Sequence, residues 1–374
     1  MSQGAIATTG LAQAGPARPR VLWPVISVVV VVGIAALVRY LDSNVQLWFP
    51  TVSWVKSVEY PVYAIAIGLL GGAIIGTLGI RARIGFAIRT EFFIKTGLVL
   101  LGASINLNVL VRAAGPAMTQ SVILIATVFL TTWFLAGLLG LDPKLRAVLA
   151  AAVSICGVSA AIAAAGAVRA GKEQLAYVVS LVILFALPSI FIEPWLASQL
   201  GLSPAVAGAW IGGNIDTTAA VTAAGSIVGD EALKVAAIVK QTQNAVIGVV
   251  AFLLTTYFVF RVERAPGASV SLGSLWERFP KFILGFIAAS AIGTWYASVA
   301  GDSAAAAQAL RIAGTDLRVW FFIFAFVCIG LDLRLGSLRE AGIRPVVVFG
   351  TAALVNLALA LALASVLFAG FRVS

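Results

Sequence analysis

The chain has 374 residues, of which 61% are hydrophobic and 11% charged, and its mean hydropathy is +1.05. Soluble domains run about 45–50% apolar and about 25% charged, so this chain lacks the polar surface to coat itself in water; a cytosolic enzyme, a secreted disulfide scaffold and a disordered chain are excluded. The formal net charge of +10 sits between apolar runs, with no basic segment interleaved with aromatics, and so reads as membrane orientation rather than nucleic-acid binding.

Residues 1–20 are small, polar and punctuated by Pro and Gly, and read as a disordered cytoplasmic tail; 21–374 reads as a single transmembrane domain. The first apolar run follows Arg18 and Arg20 and lacks a small-residue cleavage site, so a retained span is expected near 21–40 rather than a signal peptide. The stretch 42–60, with Trp48, Trp54, Lys56 and Glu59, reads as interfacial. Further spans are expected near 61–80, 92–110, 117–140, 146–168, 174–197, 205–228, 232–260, 279–300, 309–331 and 345–369. The run at 92–110 is amphipathic, with Glu91, Lys95, Asn106 and Asn108. The fold class is therefore an all-α polytopic membrane protein with ten to eleven transmembrane helices.

With eleven spans the loops divide fifteen Lys/Arg against seven, Arg169 and Lys172 falling in the smaller set. The positive-inside rule then places the N-terminus in the cytoplasm and the C-terminus outside. Two internal echoes stand out. GASINLNVLVRAAGP (102–116) resembles GLDLRLGSLREAGIRP (330–345) at an odd span offset, as an inverted repeat requires. SAAIAAAGAV (159–168) resembles TAAVTAAGSI (218–227) at an even offset, and reads as shared packing chemistry.

Three segments carry candidate chemistry. ICGVSAAIAAAGAV (155–168) is almost all Gly, Ala and Ser, which fits a tight helix seam or a discontinuous helix broken near Gly157, offering backbone N–H groups and the Ser159 hydroxyl. GAWIGGNIDTTAAVTAAGSIVGDEALK (208–234) sets Gly212, Gly213, Asn214, Asp216, Thr217 and Thr218 as a polar knot in an apolar run. An aspartate at mid-bilayer costs about 2.5–3.5 kcal/mol on insertion scales, so it marks a pathway or ion site, or else caps a helix beginning at Thr217. VKQTQNAVIG (239–248) places Lys240, Gln243 and Asn244 on one helix face, where Lys240 pairs with Asp216, meets an anion, or snorkels from a helix end. Gly68, Gly72 and Gly76 have close-packing spacing. Glu193, Asp316 and Arg318 lie near span ends, where solvated charge is the ordinary reading, and Asn106, Asn108, Asp332 and Arg334, in the repeat-like segments, read as interfacial. The chain has no histidine, and its two cysteines, Cys156 and Cys328, frame neither a disulfide nor a metal site. No cofactor or metal is expected.

At these three segments and at 330–345 the sequence resembles the YeiH-like sulfate exporter family of bacterial membrane proteins, from about residue 60 to the C-terminus. The resemblance implies a secondary carrier in the bacterial inner membrane, distantly similar to bile-acid and arsenite carriers with inverted repeats and broken helices. Many members carry a His before the acidic residue where this chain has Ile215, so no imidazole mechanism operates there.

The resulting expectation is a gradient-driven transporter of a small anion such as sulfate or a related oxyanion or sulfonate, and not an enzyme. Gly157, Val158, Ser159, Asn214, Thr217, Thr218 and Lys240 are expected to bind it, with Cys156, Gly213, Gln243 and Asn244 as secondary candidates. Asp216 is expected to take a coupling proton or sodium ion. The partners expected are the anion, the coupling cation and the bilayer, with a homodimer open. The rivals are a sodium- or proton-coupled carrier of an organic substrate, with Asp216, Asn214 and Thr218 as a cation site, and a non-transport membrane protein. Against an enzyme stand the missing His, paired intramembrane carboxylates and cysteine–base pair.

Overall fold

The computed structural model describes residues 22–48, 60–262, 280–300, 303–332 and 343–373. The tail at 1–20 and most of the interfacial stretch at 42–60 lie outside them. Sixteen α-helices are described: α1 (Leu22–Trp48), α2 (Tyr60–Thr77), α3 (Arg81–Ile84), α4 (Thr90–Ala103), α5 (Leu107–Leu138), α6 (Pro143–Ala151), α7 (Val158–Val168), α8 (Lys172–Gln199), α9 (Pro204–Asn214), α10 (Thr218–Val228), α11 (Asp230–Ala245), α12 (Ile247–Tyr257), α13 (Phe282–Ala300), α14 (Ala304–Arg311), α15 (Arg318–Asp332) and α16 (Ile343–Leu367). Among the described residues there is no strand, and eight helical stretches are long and apolar enough to cross a membrane. The protein is an integral all-α polytopic membrane protein.

The eleven expected apolar runs are all helical, but three of them fall outside the eight stretches long enough to cross: 92–110 gives the short α4, and 146–168 and 205–228 fold as hairpins. The run at 146–168 is a re-entrant hairpin. Asp142 caps α6 by accepting from Lys144 and Leu145 N–H, and α6 then passes through a π-helical turn at 152–156 to Gly157, where the chain reverses into α7. The two arms pack together, and their bases are tied: Lys144 Nζ donates to the Arg169 carbonyl at 3.1 Å, and Gln174 Nε2 to Asp142 Oδ1 at 2.9 Å. The run at 205–228 is a second hairpin. Gly208, near the start of α9, lies against the Ala232 carbonyl, and Gly225, near the end of α10, against Leu233. Both arms of α9–α10 therefore have their base where α11 begins.

The hairpins enter from opposite faces. Helix α8 starts at the base of the first and ends five residues before the second, and its 28 residues reach about 42 Å at 1.5 Å per residue. Arms α7 and α10, the pair that echo each other in sequence, thus run in opposite directions. The expectation that an even offset makes them parallel fails because a hairpin returns to the face it left. Arg169 and Lys172 move with it, joining Arg81, Arg83, Arg89, Lys144, Arg146, Arg261 and Lys281 on one basic face.

Helix α4, with only 14 residues, runs beside α13, where Lys95 lies over the Phe282 ring at one end and Ser290 Oγ donates to the Ile105 carbonyl at the other. Helices α1, α2, α4, α13 and α15 pack among themselves as one layer; α5, the hairpins, α8, α11, α12 and α16 form the other. Close backbone approach holds each layer. A Cβ on Gly68 would lie 2.6 Å from the Val327 carbonyl oxygen, and one on Gly72 2.9 Å from that of Leu331, so the small-residue spacing on α2 serves its seam with α15, whereas Gly76 faces only Arg81. Isolated apolar side chains such as Val29, Leu70, Phe134 and Trp295 point outward to the lipid.

Candidate functional site

The two hairpin tips meet. Gly157 has φ +62, open to glycine at little cost, and a Cβ there would lie 2.6 Å from Val182 Cγ1, 3.2 Å from Thr217 Cγ2 and 3.4 Å from Asp216 Cβ. Helix α7 starts at this glycine with no side chain capping it. In the second hairpin the backbone is extended at Ile215 and Thr217. Thr217, not Asp216, is the cap: its Oγ1 accepts from Ala220 N–H at 3.1 Å and the helix begins at Thr218. Gly212 and Gly213 do not break α9, which continues through Asn214; they let it approach Ala236 on α11 and Gln120 on α5. Asp216 is buried, and its carboxylate has no hydrogen bond or ion pair among the described residues.

The incoming arms end in carbonyls that need donors, and α11 supplies them. Lys240, 1% exposed, donates Nζ to the Ile155 carbonyl at 2.6 Å and to Gln243 Oε1 at 2.9 Å, while Gln243 Nε2 donates to the Gly213 carbonyl at 3.0 Å. The expected Lys240–Asp216 pair is not formed within 4.0 Å, and Lys240 is not among the residues lining the adjacent cavity. Its ammonium holds the C-terminal end of the first arm, where helix carbonyls carry partial negative charge. Asn244 Nδ2 donates to Thr218 Oγ1 at 3.2 Å.

Beside the tips lies a cavity of about 1350 Å³ between the two layers. Cys156, Val158, Ser159, Thr217, Thr218 and Asn244 line its inner end; Gly157, Gly213, Asn214, Asp216 and Gln243 stand behind that wall. Thr90, Glu91, Lys95, Lys281 and Asp332, at the basic-face ends of α4, α13 and α15, line its mouth. Both uncapped or singly capped helix starts therefore face one space, with the partial positive charge of a helix N-terminus.

Several buried polar groups differ from the span-end reading. Glu193 is 1% exposed and accepts from Asn214 Nδ2 at 2.6 Å. Arg318 is buried and donates Nη2 to Asp230 Oδ1 at 2.8 Å. Gln120 Nε2 donates to the Ala209 carbonyl and Asn356 Nδ2 to that of Asn214. An amide within an otherwise apolar run was the available signal for Gln120 and Asn356. Among the described residues no cluster of His, Cys, Asp and Glu fits a metal.

These features define a polytopic membrane protein built around opposed re-entrant hairpins. The chain belongs to the family described as conserved hypothetical protein 698, whose model matches residues 24–349. It is 39% identical to a UPF0324 membrane protein, RB9488, of Rhodopirellula baltica, over 88% of this chain and 62% of that protein. Two UPF0324 membrane proteins of Nitratidesulfovibrio vulgaris are 35% identical over 90% of this chain and 58% of theirs, and 31% identical over 98% and 99%. The chain thus spans about three fifths of the length of the first of these curated relatives. No solved structure matches it.

Proposed function

We propose that the protein is a gradient-driven secondary carrier of a small anion, sulfate or a related oxyanion or sulfonate among the candidates. One observation carries this reading: two opposed hairpins expose two helix N-termini to one cavity at mid-depth. Non-helical backbone at that depth is tolerated where it is buried or lines a cavity, and broken-helix sites of this kind bind substrate in carriers built from inverted repeats. The opposed α7 and α10 echoes support such a repeat. The excess of Lys and Arg supports a basic face turned to the cytoplasm of a bacterial inner membrane, and in this reading the cavity opens inward.

In this reading Val158 and Ser159, with Thr217 and Thr218, donate to the anion, and Asn244 orients Thr218. Gly157 allows the tips to touch. Lys240, Gln243 and Gly213 fix the arms behind the site. Asp216 couples transport: a carboxylate behind the anion repels it, and a proton or sodium ion removes that repulsion, so the two bindings support each other. The missing histidine argues for carriage rather than acid–base catalysis.

Flux of labelled anions into proteoliposomes under imposed pH and sodium gradients tests this. Asp216→Asn is expected to retain downhill flux and lose its gradient dependence; intact coupling would remove Asp216 from the role. Sodium-dependent stabilisation of the purified protein with no effect of any anion would instead favour the rival cation site at Asp216, Asn214 and Thr218.

A further inference from the structure

We infer that the molecule held in the cavity is an organic anion with an apolar body, a carboxylate or sulfonate on a hydrocarbon frame, rather than a bare inorganic ion such as sulfate. The inference rests on the carrier reading above and narrows its substrate class.

Charge fixes the sign of the ligand. A helix N-terminus presents about half an elementary charge, so the starts of α7 and α10 together offer about one to the inner end, and the Lys240 ammonium, bonded to the neutral Ile155 carbonyl and Gln243 behind the first tip, adds its own. Asp216 opposes them until a cation neutralises it. Lys95 stands at the mouth, paired with Glu91 at 2.9 Å, and Lys281 stands there too.

Size and lining are the second argument. The cavity, about 1350 Å³, exceeds the roughly 300–1,000 Å³ of sites that enclose drug-sized ligands, far more room than a five-atom ion fills. Its walls between tip and mouth are hydrocarbon: Ile65 from α2, Ile162 from α7, Ile183, Leu187 and Phe191 from α8, and Ile247 from α12. Such walls stabilise methylene groups and offer nothing to the outer oxygens of an inorganic ion.

The test is calorimetric titration of the full chain in lipid nanodiscs with sulfate, with n-alkanesulfonates from ethane to hexane, and with hexanol and hexylammonium. Affinity is expected to rise about fourfold per methylene along the sulfonates, with sulfate far weaker and both control compounds weak. Ser159→Ala is expected to weaken every sulfonate by a similar factor while leaving the slope with chain length intact. Sulfate binding as tightly as hexanesulfonate, with no chain-length slope, would overturn the inference and leave the small-anion carrier standing. Hexanol or hexylammonium matching hexanesulfonate would overturn both, making the cavity an unselective apolar slot. No binding by any compound would also overturn the inference, and the flux assay would then judge the carrier reading alone.

Discussion

Gly157 has to satisfy two demands at once, a positive φ and an approach to Val182 that leaves no room for a methyl group. Gly157→Ala is expected to cost about 1–3 kcal/mol from the backbone alone, seen as a lower unfolding midpoint in detergent. Adding Val182→Ala should return the steric part and not the backbone part; a double variant no more stable than Gly157→Ala would assign the whole cost to φ. Lys240 works differently. Lys240→Met leaves the Ile155 carbonyl and Gln243 Oε1 without their donor, an expected loss of about 1–3 kcal/mol. Because Lys240 does not line the cavity, the variant should keep ligand-induced stabilisation that Ser159→Ala loses. Abolished stabilisation in Lys240→Met with unchanged stability would restore the direct anion contact expected from the sequence. That expectation rested on Lys240, Gln243 and Asn244 sharing a face, which they do. What the pattern did not carry is that the face is turned toward carbonyls of two other elements, since a helix period gives a direction and not a partner.

At the scale of the element, a hairpin of two short arms and a single tilted span have nearly the same hydropathy, which is why 146–168 and 205–228 read as crossings. The break near Gly157 was legible, and so was the polar knot around Asp216. The discriminating sign was composition: α7 and α10 are built from Ala, Gly, Ser and Thr with few of the Leu and Phe that meet lipid, because their arms pack against protein. Glu193 was hidden for a related reason. A carboxylate six residues from a helix end reads as solvated until Asn214, from a separate element, is known to cover it. The hairpin makes a sharp prediction about topology. Single cysteines at Lys144 and Lys172, in a chain with Cys156 and Cys328 replaced by alanine, should react with a membrane-impermeant maleimide from the same face of inside-out vesicles. Labelling from opposite faces would reinstate a transmembrane span. The seam between α9 and α11 has its own test: Gly208→Val drives a side chain into the Ala232 backbone, and overpacking of that kind costs about 1–3 kcal/mol.

At the scale of the molecule, polar contacts among the described residues join the two layers on the face remote from the cavity mouth, where Leu107 N–H of α5 donates to Thr294 Oγ1 of α13 at 2.8 Å. Tyr60 and Ser226 join α2 to α10 by a hydrogen bond of 3.2 Å, and the Arg318–Asp230 ion pair of 2.8 Å joins α15 to α11. Among the described residues Arg318 Nε and Nη1 are buried without hydrogen-bond partners, so there the guanidinium is committed to this one carboxylate, which is itself half-exposed. The proposed carriage requires the site to open to each face in turn, and a pair that closes one face would then set the population open to the other. Losing a charge-assisted bond worth about 1.5–3 kcal/mol shifts a two-state balance by about ten- to a hundredfold. Asp230→Ala is therefore expected to raise impermeant-maleimide labelling of a Thr218→Cys reporter from the face opposite the basic one, by about tenfold or more if the closed state dominates. Labelling from the basic face, where the cavity mouth lies, should fall in step. Equal labelling from both faces, with and without the substitution, would mean that the ion pair merely ties two helices together and that the closure of this face resides in the packed apolar contacts around it.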